Sequence, residues 1–296
     1  MAPTVWLITG STSGIGAALI DCIAARGDKV IASGRRVEER IGHLKSDSIA
    51  LLELDIAAGK SAIKTQIEKA WNIFGHIDVL VNNAGMSAIN SVEQADDTYI
   101  ANMFQVNLFG QMHVTQAILP FFRAQGHGTI TFTSSSSGWM ALPFMSHYSM
   151  TKAALSTFAE SLHKEISPLG LRAVAFDLGG YPTHLMQPRN DTPQPEESAT
   201  IDAYEPLLGE LVSMFSIDPM DLMPGDPAKC ASVMVDIVKG EGVAVGRKWA
   251  VRVVLGSDSL DYANARRRQE VELLERWEDV SVTTDRGEWG IVKNLP

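Results

Sequence analysis

Short apolar runs alternate with amphipathic stretches along residues 3–180. Residues 4–9 (TVWLIT) form a nearly unbroken apolar run closed by Gly10, the pattern of a strand buried on both faces. From Gly14, residues Ile15, Ala18, Leu19, Cys22 and Ile23 recur at helical spacing, and Gly27 ends the helix. Further strands are predicted at 29–33 (KVIAS), 49–54 (IALLEL), 77–81 (IDVLV), 128–134 (GTITFTS) and 171–177 (LRAVAFD). Helices are predicted at 60–74, at about 98–124 and at 147–166.

Strands separated by helices, without hairpin signals, require crossover connections and therefore a parallel sheet covered on both faces. The expected fold class is α/β, a Rossmann-type doubly wound sheet. After Asp177 the texture changes. Residues 180–227 are rich in Pro and Met and predict a loop with one short helix near 201–215. A helix at 226–238, a seventh strand at 249–255 and a charged helix at 259–279 follow, with an irregular tail beyond Val280. We expect one domain, with a cofactor and catalytic core at 1–180, a substrate lid at 181–225, and completion of the sheet at 226–296. The ARRRQE run in the last helix reads as a solvated face.

Charge and cysteine content narrow the partners. The chain of 296 residues carries a net charge of −10, which disfavours nucleic acid and anionic membrane. Two cysteines, Cys22 and Cys230, make neither a disulfide framework nor a zinc site. The first residues enter a strand directly, and no apolar run reaches the ~18 residues of a membrane span. The expected setting is soluble and cytoplasmic.

The first strand runs into TGSTSGIG, from Thr9 to Gly16. Glycines between a strand and a helix let backbone approach a ligand, and the helix N-terminus presents N–H groups to a pyrophosphate. Other segments stand in order beside it: NNAG at 82–85, VNLFG around Asn107, and Tyr148 four residues before Lys152. Together they resemble the short-chain dehydrogenase/reductase family over about 175 residues, and more narrowly its hydroxysteroid- and retinol-dehydrogenase-like branch with an extended C-terminus. The resemblance implies a nicotinamide dinucleotide held by Gly10, Thr12, Ser13, Gly14, Ile15 and Gly16, by Asp55 and Ile56 at the adenine, and by Asn83, Ala84 and Gly85. It also implies Thr183 at the carboxamide, although DLGGYPTHL departs from the family's Pro-Gly pattern with Leu178, Gly180 and Pro182. Gly179–Gly180 is where a lid hinge is expected.

The second strand bears on the choice of cofactor. An acid at its end would accept from a free ribose 2′-OH and repel a 2′-phosphate. Gly34 stands there, followed by Arg35 and Arg36, and guanidinium binds phosphate well. NADP(H) is expected, with Arg35 as the main contact and NAD as the alternative.

Tyr148 and Lys152 are i, i+4 neighbours on a helix. A free Tyr titrates near ~10, and an adjacent ammonium would favour its phenolate by about 1–3 units. Tyr148 then becomes a usable acid or base. By the resemblance, Lys152 also holds the nicotinamide ribose, and Asn107 supports a water-linked proton path. The family's serine lies thirteen residues before the Tyr, at Ser135, with Ser136 the alternative. Ser134 is expected to face away or to meet the cofactor through its backbone, and Ser136 and Ser137 to lie in a loop.

Met186, Met214, Phe215, Met220 and Met223, with Trp139, Met140, Phe144 and Met145, suggest a roomy apolar pocket. His184 and Arg189 are the polar candidates nearby. The expected activity is NADPH-dependent reduction of a bulky hydrophobic ketone or aldehyde, reversible to alcohol oxidation. An NAD-linked alcohol dehydrogenase and a cofactor-sensing protein without turnover are the alternatives. The family implies a homodimer or homotetramer pairing through the helices at 98–124 and 147–166.

Overall fold

Seven parallel strands build one sheet in the order β3-β2-β1-β4-β5-β6-β7. They are β1 Val5–Ile8, β2 Lys29–Gly34, β3 Ile49–Glu53, β4 Val79–Asn82, β5 Gly128–Ser135, β6 Leu171–Leu178 and β7 Arg252–Leu255. The computed structural model describes residues 2–183, 185, 201–215 and 217–286. From β1 the chain winds outward to β3, then returns to lay β4 on the other side of β1. That reversal opens a crevice at the C-terminal ends of the strands, where ligands bind in open α/β sheets.

The apolar runs are continuous because each strand feeds two cores. Val5 and Leu7 of β1 join Leu80, Ile130 and Phe132 on one face of the sheet. Trp6 and Ile8 point into the other face, with Val79, Val81 and Phe176. The first core is closed by α3 (Lys60–Phe74), α5 (Gly110–Gln125) and α6 (Ser146–Ile166). The second is closed by α1 (Gly14–Ala25), the short α2 (Val37–Ile41) and α9 (Pro227–Lys239). Cys22 is only half-buried, against the second core, and Cys230 is buried within it.

Several elements differ from the periodic reading. The long helix at 98–124 is α4 (Asp97–Phe104), a π-helical turn at Gln105–Phe109, and then α5. Gly110 follows the turn because a Cβ there would stand 2.3 Å from the Ile56 carbonyl. The expected helix at 201–215 is a 3₁₀ turn, Asp202–Tyr204, followed by α7 (Glu205–Phe215). The one-turn α8 (Pro219–Leu222) comes next, and α10 (Ser257–Ser281) is longer at both ends than its charge pattern suggested. β7 begins at Arg252, later than expected. Beyond α10 a 3₁₀ turn spans Val282–Thr284. The 186–198 loop and the tail from residue 287 lie outside the described residues, as do Met186, His184 and Arg189 and the side chains of Met214 and Phe215. Among the described residues no helix is long and apolar enough to cross a membrane.

Candidate active site

The turn after β1 is built to come close to whatever it faces. Gly10 has φ +63°, and a Cβ on it would fall 2.6 Å from Ala84 Cα. A Cβ on Gly16 would fall 2.4 Å from the Gly10 carbonyl oxygen. The glycine turn is therefore packed against the segment after β4. Thr9 Oγ1 accepts from the N–H groups of Asn83 (3.0 Å) and Ala84 (3.1 Å). Asn83 Nδ2 donates back to the carbonyls of Thr9 (3.1 Å) and Gly10 (3.0 Å). Asn83 is thus a tie between the two loops.

Ser13 is the N-cap of α1, in extended conformation, and its side chain makes no cap bond. Gly14 opens the helix at φ +58°. Ile15 is buried in the second core, so only its backbone faces the crevice. The first N–H groups of a helix lack partners within it. A glycine cradle ending in such groups fits a dinucleotide pyrophosphate. Thr183 closes over it, its Cγ2 lying 3.1 Å from where a Gly14 Cβ would be.

At the end of β2, Thr12 Cγ2 lies 3.3 Å from the Cβ position of Gly34. Arg35 follows and is half-buried. Arg36 is exposed and in the left-handed region at φ 50°, and its guanidinium lies 3.6 Å from Glu39. Its N–H donates to Glu53, as does that of Val37, which caps α2. Asp55 is exposed beyond β3 and accepts from the Ala57 N–H, and Ile56 is buried beside it.

Ser135 is the last residue of β5, and its side chain approaches that of Tyr148. Its Oγ also accepts from the Ser137 N–H at 3.2 Å. Ser134 faces α6 instead, donating to the Lys152 carbonyl at 3.0 Å. Ser136–Gly138 form a 3₁₀ turn rather than an open loop. Tyr148 and Lys152 are buried one turn apart on α6, and Lys152 Nζ donates to the Thr133 carbonyl at 2.8 Å. Asn107 lies in the π-helical turn, fully buried. Its Oδ1 accepts from the Met86 N–H (2.8 Å), and its Nδ2 donates to Met86 O (2.8 Å) and Thr151 Oγ1 (3.1 Å). The amide therefore clamps the loop after β4 to α6. A Cβ on Gly85 would touch both Asn107 Oδ1 (3.5 Å) and Lys152 Nζ (3.6 Å). The four residues of the expected catalytic set thus meet at one end of the sheet, beside the glycine turn.

Electrostatics run opposite to the sequence-based expectation for Tyr148. Burial pushes its phenol up, and only the Ser135 side chain draws it down. Lys152 Nζ stands 5.7 Å from the Tyr148 ring centroid and is itself lowered to about 8 by burial, with Asp177 opposing. Desolvation of the phenolate is the larger effect at Tyr148, so in the cofactor-free protein burial wins.

Asp177 belongs to a network that spacing did not reveal. Fully buried at the end of β6, it accepts from Trp139 Nε1 (2.7 Å) and Ser156 Oγ (2.8 Å) and is ion-paired with Arg252. Arg252 stacks over Trp139 at 3.9 Å. The Ser156 hydroxyl also lies 2.7 Å from Ser134 Oγ, so the network reaches the backbone of Lys152. An acid closing a buried strand was the one visible signal. Trp139, expected near the apolar pocket, is engaged here through its indole N–H and one ring face.

Met145, Tyr99 and Met103 pack with Tyr148, joined by Met86, Ile89, Leu142 and Leu185. Phe144, at φ 60°, meets Tyr204 edge-on at 6.0 Å, and the Tyr204 hydroxyl donates to Glu93 at 2.9 Å. Met223 lies against Gly180, and Met220 is exposed. At Gly179–Gly180, where a lid hinge is expected, both glycines meet Asp258. A Cβ on Gly179 would fall 2.0 Å from Asp258 Oδ1, Gly180 N–H donates to Asp258 at 2.6 Å, and its carbonyl accepts from Gly225. These glycines make room for the Asp258 carboxylate.

The chain is similar over nearly its whole length to oxidoreductase BOA17 of Botryotinia fuckeliana, 29% identical over 289 residues, covering 95% of this chain and 98% of that protein. It is 33% identical over 196 residues, 65% of each chain, to the NADPH-dependent 1-acyldihydroxyacetone phosphate reductase of Saccharomyces cerevisiae. A short-chain dehydrogenase structure from Streptomyces avermitilis superposes with a TM-score of 0.82 at 29% identity, covering 96% of this chain and 100% of that one. Two structures at 22% identity share the fold, one from Brucella melitensis complexed with NADH (TM-score 0.67; 86% of this chain, 98% of that one) and one from Burkholderia cenocepacia with NADP (0.69; 93% and 97%). The short chain dehydrogenase family model matches residues 4–194. With that match, the sheet order and the glycine turn before α1, the chain belongs to the short-chain dehydrogenase/reductase family, oxidoreductases that use NAD or NADP.

Proposed function

We propose that this protein reduces the carbonyl of a bulky hydrophobic ketone or aldehyde to an alcohol, reversibly, using NADPH. The observation that carries the reading is the meeting of the Ser135 and Tyr148 hydroxyls in front of Lys152, beside the glycine cradle. Backbone from Gly10 to Gly16 would hold the pyrophosphate, Asp55 and Ile56 would flank the adenine, and Asn83 to Gly85 would line the crevice. Tyr148 and Lys152 would hold the nicotinamide ribose, and Thr183 the carboxamide. When bound, the cofactor supplies the hydride that the carbonyl carbon gains. Ser135 donates a hydrogen bond to the carbonyl oxygen and orients it. Burial keeps the Tyr148 phenol protonated, so it gives its proton to that oxygen as charge develops there. Lys152, held by the Thr133 carbonyl, is placed to restore charge balance behind Tyr148, and Asn107 fixes the loop through which a water could reach it.

NADP(H) over NAD is supported by Gly34 where an acid would bind a 2′-OH, by Arg35 next to it, and by the cofactor of the yeast relative. An apolar substrate is supported by Met145, Leu142, Ile89 and Leu185 around Tyr148, and a lid at 181–225 by Tyr204 on Phe144. Free Cys22 and Cys230 suit a reducing compartment such as the cytoplasm. Pairing of copies through α5 and α6 is supported by Phe109 and Met150, exposed at these helices. The test is consumption of NADPH and NADH against a panel of bulky ketones. Turnover with NADPH that disappears in Tyr148→Phe while NADPH binding persists supports the reading. Undiminished turnover in Tyr148→Phe refutes it.

A further inference from the structure

The last helix leaves the body of the protein. α10 packs on β7 and on the Ser136–Gly138 turn through its first turns, where Ser259 is buried. From Arg266 onward every described residue is exposed. At ~1.5 Å per residue, the stretch to Ser281 reaches about 24 Å into solvent. It is not polar all round. Leu274 is 72% and Trp277 54% exposed, and Val271, Leu273 and Val280 are each close to half exposed. At helical spacing Leu273, Leu274, Trp277 and Val280 share one face, and Val271 stands just beyond its Leu274 edge. A helix gains little stability without packing, and a contiguous apolar face in water marks a contact surface.

The charges on this helix indicate the occupant. Arg266, Arg267 and Arg268 precede the apolar centre, and Glu275, Glu278 and Asp279 follow it. Arg266 is tied to Glu270 within the helix at 2.8 Å. Among the described residues Arg267, Arg268, Glu275 and Glu278 have no ion-pair partner. Arg267 and Glu278 flank the Leu274 edge of that face, with Val271, Glu275 and Arg268 behind them, and the Arg266–Glu270 pair continues the face toward the start of the helix. Such a face is complementary to itself when turned end for end. An isologous contact is symmetric about a two-fold axis, and flanking charges set helix orientation.

We propose that α10 docks antiparallel against α10 of a second copy, with the two-fold axis beside Leu273. Arg267 of each copy then faces Glu278 of the other, and the apolar side chains between them are covered. A parallel pair would stack arginine on arginine and glutamate on glutamate. The local match is needed because two chains of net charge −10 repel each other overall. The basic run that reads as a solvated face in the sequence thereby gains a partner.

Sedimentation of the full chain at micromolar concentrations tests this. Arg267→Glu/Arg268→Glu makes both ends acidic, and Glu275→Lys/Glu278→Lys makes both basic. Each variant alone should halve the mass of the wild-type species, with self-association weakened about tenfold or more. An equimolar mixture of the two should restore the wild-type mass. Leu274→Asp should halve it without rescue by either charge variant, and circular dichroism should show the helix content kept in all three. Wild-type mass in both charge variants would overturn the proposal, as would failure of the mixture to associate. A wild-type chain that pairs through α10 only after residues 287–296 are removed would also overturn it, because the tail would then be the occupant.

Discussion

Lys152 offers a test in which the structure sets both sign and size. Its ammonium is buried, and its pKa falls from the ordinary 10.5 to about 8, mainly through desolvation. The folded state therefore holds fewer protons than the unfolded chain between pH 8 and pH 10.5. Stability must then rise with pH across that window, since the unfolded state is the one that gains from protonation. A displacement of this size corresponds to roughly 3 kcal/mol of destabilisation at neutral pH, at ~1.4 kcal/mol per unit. Lys152→Met removes the buried charge but strands the Thr133 carbonyl, which costs about 1–3 kcal/mol, so the net change at pH 7 is small. The pH dependence is the cleaner readout. Between pH 7 and pH 9.5, wild type should gain about 2 kcal/mol relative to Lys152→Met. Tyr99, at about 12, and Cys230, at about 11, titrate in both proteins and cancel in the difference. The assay is urea unfolding of both proteins, without cofactor, at the two pH values. Parallel stability profiles would refute the claim that Lys152 is held as a costly buried ammonium.

Three further perturbations test other parts of the site. Gly16→Ala should lower stability by about 1–3 kcal/mol in thermal unfolding and abolish nicotinamide cofactor binding by titration calorimetry, because the new methyl must displace the Gly10 carbonyl. Asp177→Asn should cost about 3 kcal/mol in urea unfolding by leaving the Arg252 guanidinium without its buried partner, and it should shift the Lys152 titration further down. Arg35→Ala should weaken NADPH by about 10- to 100-fold and leave NADH unchanged, as expected for a lost charge-assisted hydrogen bond worth about 1.5–3 kcal/mol, and equal losses for both cofactors would assign Arg35 a different task.

The sequence alone was enough for the alternation of strand and helix, the parallel sheet, the glycine turn and the i, i+4 placement of Tyr148 and Lys152. These features are local. A strand buried on both faces reads as an apolar run, and a helix announces its face every three or four residues. Relations between distant segments were decided only by the tertiary structure. Arg252 pairs with Asp177 from 75 positions away, and nothing in the spacing of either residue foretells it. The Asp258 carboxylate on α10 stands against Gly179 and Gly180 from nearly eighty positions away, a contact that the glycines themselves do not announce. Buried positions recur every three or four residues through the π-helical turn that carries Asn107, from Tyr99 and Met103 to Gln111 and Val114, so the run read as one helix. Tyr148 was expected to ionise more readily beside an ammonium, yet burial of both groups reversed the direction. Desolvation depends on everything packed around a side chain, and that surrounding is assembled from residues far apart in the chain.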